Sequence, residues 1–294
     1  ISTAHLPTYE GVVDMLPSGD AYVIVEGFDK DVFVDRRHTN HALWADQVKV
    51  AVINKKRNGD PEGEIVEIPA RSEHKYVGTA EVTRNHAFVR VDARKMPFDI
   101  FIYTKDSGVS DGDKVLVKVT SWEPGTKSPT GEIIDNLGRA GDNDTEMHAI
   151  LAEFDLPYKY PEEVEEAAKK IPEKITKADY AARRDFRDVT TFTIDPADAK
   201  DFDDALSVLK LGDDLWEIGV HIADVTHYVK EGSIIEDEGR ERATSVYLVD
   251  RTIPMLPEKL SNELCSLRPN EEKLCFSAVF EMDGQCNIKK QWLG

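Results

Sequence analysis

Ala21-Tyr22-Val23-Ile24-Val25 is answered 66 residues later by Ala87-Phe88-Val89-Arg90-Val91, and the blocks around it repeat in the same order. Gly11-Val12-Val13 matches Gly78-Thr79-Ala80, and Asp31-Val32-Phe33-Val34 matches Asp99-Ile100-Phe101-Ile102. Asp46-Gln47-Val48-Lys49-Val50 matches Asp113-Lys114-Val115-Leu116-Val117, and Gly63-Glu64-Ile65-Val66 matches Gly131-Glu132-Ile133-Ile134. The offsets stay between 66 and 68, so the chain opens with a tandem unit of about 67 residues. Each block is short, rich in β-branched and aromatic residues, and bounded by Gly, Asp or Asn, as strands are.

Five strands in so short a unit cannot make an open sheet with a covered face. Closure into a small antiparallel barrel removes most of the edges. The expected fold is mainly β: two tandem five-stranded oligonucleotide/oligosaccharide-binding (OB) barrels over residues 1–72 and 73–140, a helical connector over 141–184, and an α+β part over 185–294. In an OB barrel the second and third strands form the binding face. Here they carry Tyr22 and Phe33, then Phe88 and Phe101. Such rings either stack on bases or fill the barrel, and sequence alone leaves both open. In the connector, Met147, Ile150, Leu151 and Phe154 suggest one helix. Pro161, Glu162 and Glu163 open a second, which Lys169, Lys170 and Pro172 close; both helices read as packing spacers.

Five aspartates crowd the run Asp195-Pro196-Ala197-Asp198-Ala199-Lys200-Asp201-Phe202-Asp203-Asp204. Strand-like Thr191-Phe192-Thr193-Ile194 leads in and Ala205-Leu206-Ser207-Val208-Leu209 leads out. Two unit charges about 4 Å apart repel by roughly 4 kcal/mol at an effective dielectric near 20. A folded turn gathering these carboxylates must protonate some, solvate them, or hold a cation. A helix-loop-helix calcium site fails the comparison, because Lys200 stands where Gly is needed and Leu206 where Glu is needed. Oxygen ligands of this kind suit Mg²⁺ or Mn²⁺.

The 294 residues are 40% hydrophobic and 32% charged, with a net charge of −19. Residues 1–148 carry 18 Lys+Arg against 25 Asp+Glu, and residues 149–294 carry 19 against 31. Neither half is a basic platform, so an RNA partner must be held by local patches, stacking and metal. No apolar run is long enough for a membrane span, and residues 1–10 show no signal peptide. Cys265, Cys275 and Cys286 lack a Cys-x-x-Cys pair and read as buried thiols of a cytosolic protein.

Asp31-Val32-Phe33-Val34 after a Gly-rich aromatic strand resembles the second RNA-contact motif of cold-shock domains, with Asp35 where those domains place His. From residue 185 onward the resemblance is to the ribonuclease II/ribonuclease R family. It rests on Arg187-Asp188, Thr193-Ile194-Asp195-Pro196, Asp201-Phe202-Asp203-Asp204-Ala205 and Gly219-Val220-His221-Ile222-Ala223-Asp224-Val225. Ile253-Pro254-Met255-Leu256-Pro257 and Leu260-Ser261-Asn262-Glu263-Leu264-Cys265-Ser266-Leu267 continue it. His221 and Ala243-Thr244-Ser245-Val246-Tyr247 point to the ribonuclease R branch.

The resemblance implies a processive, metal-dependent 3′→5′ exoribonuclease that degrades single-stranded RNA to nucleoside 5′-monophosphates. It assigns Asp195, Asp201 and Asp204 to metal and Asp203 to the essential carboxylate that positions the attacking water or second ion. Tyr247 matches the aromatic that stacks on the terminal nucleotides and sets product length; Asp198 matches nothing. His221 reads as a structural histidine. Mg²⁺ is the expected cofactor, with Mn²⁺ as substitute. No small-molecule cofactor or membrane partner is expected, and the full-length form is expected to be monomeric and cytoplasmic. The family's catalytic domain runs well past residue 294, so little hydrolysis is expected of this chain alone, and uncovered apolar strand edges should favour self-association. Two rival readings remain: a non-catalytic RNA-binding adaptor built on the barrels, and an acidic protein-interaction module.

Overall fold

The computed structural model describes residues 6–55, 61–84, 86–103, 108–197, 199–249 and 251–294, in two compact units, residues 1–158 and 159–294. The first unit opens with β1 (Thr8–Met15), β2 (Ala21–Ile24), β3 (Val32–Val34), β4 (Gln47–Lys55) and β5 (Pro61–Ala70). The repeat supplies β6 (Lys75–Val82), β7 (His86–Val91), β8 (Ile100–Tyr103), β9 (Asp113–Ser121) and β10 (Thr130–Arg139). Each set closes into a barrel with the same neighbours: first strand to second, second to third, third to fifth, fifth to fourth, fourth back to first. The third and fifth strands pair in parallel and the others antiparallel, which is the OB topology.

Period-two alternation fills each barrel with small branched side chains. Val13, Val23, Val32, Val34, Val48 and Val50 pack inside the first, and Ala87, Val89, Ile100, Ile102, Val115 and Val117 inside the second. The repeated glycines are close-approach points. A Cβ on Gly11 would meet the Ile24 carbonyl oxygen at 2.5 Å, and one on Gly78 would meet that of Arg90 at 2.5 Å.

The repeated aspartates brace the turns before β4 and β9. Asp46 is fully buried and accepts from Leu43 N (2.7 Å), Ser72 N (2.7 Å) and Arg71 (2.9 Å). Asp113 accepts from Ser110 N (2.9 Å) and Asn136 Nδ2 (2.9 Å). Asp46 therefore ties the first barrel to the inter-barrel link, and Leu43 from the first barrel is buried in the core of the second. Lys95 reaches Asp14 at 2.6 Å across the same junction.

Both expected connector helices form, but they belong to different units. α1 (Asn143–Glu153) lies on the second barrel, where Ala149 and Ala152 meet Val77, Leu116 and Leu137. Its buried residues are Thr145, Ala149, Leu151 and Ala152, while Ile150 and Phe154 stay exposed. Small residues let the helix approach the barrel closely, so of the larger apolar set Leu151 is fully buried but Ile150 and Phe154 are not.

The second unit holds α2 (Glu162–Lys169), α3 (Lys177–Ala181), α4 (Val225–Tyr228) and α5 (Ile234–Arg242), with a π-helical turn at Lys259–Leu264. α2, α5 and the π turn bury Val164, Ala168, Ile235, Leu260 and Leu264 together with Ala223. Beside them lies an antiparallel sheet of β11 (Thr190–Phe192), β12 (Asp204–Gly212), β13 (Leu215–Ala223), β16 (Cys275–Met282) and β17 (Ile288–Leu293). A hairpin, β14 (Val246–Tyr247) and β15 (Thr252–Ile253), stands apart from it. One sheet face carries exposed Phe192, Ile222, Phe276 and Leu293.

His221 is buried on the opposite face, its ring nitrogens on Ser277 Oγ (2.7 Å) and Ser207 Oγ (2.8 Å), so it is structural as expected. The three thiols are free, but only Cys265 is fully buried and Cys286 is exposed, which corrects the reading of all three as buried. Cys286 sits in a tight turn that Asp283 caps, where the chain takes a left-handed φ of 62° and turns the side chain outward.

Candidate carboxylate site and aromatic faces

The acidic run is the loop between β11 and β12, two strands paired directly through Phe192 and Leu206. The ladder begins only at Asp204, so Asp201, Phe202 and Asp203 stand outside it. This answers a question that alternation alone could not, because a straight strand would put Asp204 on the face opposite Asp201 and Asp203. The loop backbone is pinned from two sides instead. Phe202 N donates to Ser266 Oγ (3.0 Å), and Ser266 Oγ donates to Lys200 O (3.0 Å). Leu267 N donates to Phe202 O (2.8 Å), and Ala223 N donates to Asp203 O (3.0 Å).

The carboxylates act on one another. Partial burial, then Asp201, Asp204 and Asp195, push the pKa of Asp203 above the usual carboxylate range. Asp203 keeps access to solvent, so the burial is one-sided, with protein behind and water in front. Tyr247, on β14, is 68% exposed, and its hydroxyl donates to Asp201 at 3.3 Å. Burial and the charge of Asp201 raise its own pKa. Five predicted residues, Asp195, Asp201, Asp203, Asp204 and Tyr247, thus fall in one electrostatic neighbourhood; Asp198 lies outside the described residues.

Among the described residues no three Asp, Glu, His or Cys side chains form a ready-made metal cage. The fit to a hard cation is one of donor chemistry: four carboxylates, all oxygen, with mutual repulsion that a divalent ion would offset.

Strand alternation decides the question of the barrel rings. Tyr22 pairs with Phe33 across β2 and β3, and Phe88 with Phe101 across β7 and β8. The rings meet edge to face at 5.6 and 5.5 Å, and all four lie outside barrels whose interiors are filled by Val, Ala and Ile. Of the two readings left open, barrel filling is excluded, since these side chains alternate with the ones that fill the core. His86 and Tyr103 extend the second face, His86 stacked on Phe101 at 5.8 Å and Tyr103 edge-on to it at 4.9 Å. Neither was singled out from sequence, although the alternation His86/Phe88 and Phe101/Tyr103 is the signal that would have found them.

Ser266 and Arg183 were missed as well, because their partners are remote in sequence. Arg183 holds Asp224 at 2.5 Å and the Cys275 carbonyl at 3.0 Å. Asp35, standing where cold-shock domains place His, binds its neighbour Arg37 at 2.8 Å.

Family models match three successive segments: the ribonuclease B OB domain over 11–68, the cold shock domain over 88–161 and the RNB domain over 183–294. The chain is 37% identical to ribonuclease R of Thermotoga maritima over 277 residues, 93% of this chain and 39% of that protein. It matches the structure of Mycoplasma genitalium RNase R in complex with ribose-methylated single-stranded RNA at a TM-score of 0.75 and 25% identity, over 97% of this chain and 45% of that one. The fold is shared with yeast Ssd1, a pseudonuclease, at a TM-score of 0.55 and 22% identity, over 98% of this chain and 43% of that one. The chain spans about two-fifths of the length of the ribonuclease R of Thermotoga maritima. With two OB barrels leading into an RNB domain, the chain belongs to the ribonuclease II/ribonuclease R family.

Proposed function

We propose that the protein carrying this chain is a divalent-metal-dependent, processive 3′→5′ exoribonuclease that releases nucleoside 5′-monophosphates from single-stranded RNA. The observation that carries the reading is the loop in which Asp201, Asp204 and Asp195 all bear on Asp203 while Tyr247 binds Asp201. Asp195, Asp201 and Asp204 would hold Mg²⁺, with Mn²⁺ as substitute. When bound, the metal supplies Lewis acidity toward the scissile phosphate and makes water nucleophilic.

The chain's own residues do the rest. Asp203 orients the attacking water from the protein side of the loop, where Ala223 fixes its carbonyl. The exposed ring of Tyr247 offers a stacking surface to the nucleotide that reaches the loop. Rings on the barrels grip bases without regard to sequence, which suits an enzyme that degrades any strand. A net charge of −19 gives no general attraction for phosphate, so stacking and metal must supply the hold. RNA as substrate is supported by the relatives named ribonuclease R and by the single-stranded RNA in the Mycoplasma genitalium structure.

A form extended to the length of these relatives, given single-stranded RNA labelled at its 5′ end, should shorten it stepwise from the 3′ end. Mononucleotide release should require Mg²⁺ and vanish in Asp203→Asn. The second reading, a non-catalytic RNA-binding adaptor, draws on the fold shared with a pseudonuclease and the lack of a ready-made metal cage among the described residues. It predicts RNA binding without shortening, unchanged by Asp203→Asn.

A further inference from the structure

We infer that Ser266 is a positioning residue of the carboxylate loop: its hydroxyl fixes the backbone on both sides of Asp201 and so sets where the metal-facing carboxylates stand. The inference rests on the metal reading of the loop and adds a residue to it. Ser266 is 0% exposed and follows the π turn, whose Leu260 and Leu264 are anchored in the apolar cluster of α2 and α5. A Cys265 N to Leu260 O bond of 2.8 Å closes that turn, so the hydroxyl projects from a rigid base.

The geometry uses the group fully. A serine hydroxyl has one proton to give, and Ser266 gives it to Lys200 O at 3.0 Å. It accepts from Phe202 N at 3.0 Å. Those two peptide groups flank Asp201, so one side chain staples the residue before it to the residue after it. Leu267 N on Phe202 O and Ala223 N on Asp203 O hold the later part of the loop without help from Ser266. The residue that depends on Ser266 is therefore Asp201, the carboxylate that Tyr247 also contacts. Four like-charged side chains press outward on this loop, and a backbone held at fixed points resists that pressure.

The test uses the chain as it stands, with Mn²⁺ alone as probe, bound Mn²⁺ read by electron paramagnetic resonance and amide exchange read at Phe202. Ser266→Ala should weaken Mn²⁺ binding by about tenfold or more, the effect usual for groups that orient ligands. It should also deprotect the Phe202 amide while the amides of Leu267 and Ala223 keep their protection. Ser207→Ala is the control, because it removes a buried hydroxyl from His221 in the same unit without touching the loop. It should lower the melting temperature and leave Mn²⁺ affinity unchanged. Ser266→Ala binding Mn²⁺ like wild type, with Phe202 still protected, would overturn the inference and leave the metal reading standing. Wild type binding no more Mn²⁺ than Asp203→Asn would overturn the metal reading, and this role with it.

Discussion

A Cβ on Gly78 would lie 2.5 Å from the Arg90 carbonyl oxygen, closer than any relaxed contact. Gly78→Ala should therefore cost about 1–3 kcal/mol, as overpacked sites do, measured by urea denaturation of the first unit. Asp46→Ala should cost about 1–3 kcal/mol, because it leaves the buried Leu43 N–H and the part-buried Ser72 N–H without their acceptor and removes one of the two partners of Arg71. At this scale the sequence was legible wherever chemistry is local. Clustered acids announce themselves by type, and the glycines and aspartates by recurring at the same place in both units. Ser266 could not be read, since its bonds to Lys200 and Phe202 span 66 and 64 residues and exist only once the π turn has docked. The hydroxyl of Tyr247 on Asp201, 46 residues away, was hidden for the same reason.

Strands were easier to read than their neighbours in space. The ten barrel strands follow from alternating blocks, and the same alternation puts Tyr22, Phe33, Phe88 and Phe101 outside. If those faces bind RNA, Phe88→Ala and Phe101→Ala should each weaken poly-A binding by about 1–3 kcal/mol, measured by fluorescence anisotropy. Affinity should also fall with rising salt. α1 was placed correctly and Leu151 of its apolar set is buried, but Ile150 and Phe154 are not, because the barrel surface meets Ala149 and Ala152 instead.

In the second unit a buried histidine and a part-buried aspartate fix a pH response. Burial, with the charge of Arg184, pushes the His221 pKa below its ordinary value. The unfolded chain then takes up a proton below about pH 6.5 that the fold refuses, so stability declines as pH falls through that region. Asp224 acts lower. Burial opposes its ionisation, but bonds from Thr226 and Arg183 outweigh it and leave the pKa lowered. Its contribution is present above about pH 3.9, the unfolded value, and is lost as pH drops through the lowered folded one. Thermal melts against pH should show both declines, and His221→Gln should flatten the upper one.

Across the whole molecule, two units divide the work that the sequence suggested. Residues 1–158 carry the aromatic faces, and residues 159–294 gather the acids. Residues 141–184 are shared between them, which no composition shift could reveal, because packing decides which unit a helix joins. Charge acts at this scale too: with a net charge of −19, the proposed RNA contact would depend on specific groups, of which a cation-loaded acidic loop would be the strongest. That makes the position of a divalent ion decisive. In a crystal soaked with Mn²⁺, anomalous scattering should place the ion among the side chains of Asp195, Asp201, Asp203 and Asp204, with the peak lost in Asp203→Asn. An ordered loop with no peak, its four carboxylates turned apart toward bulk water, would contradict a metal-dependent nuclease.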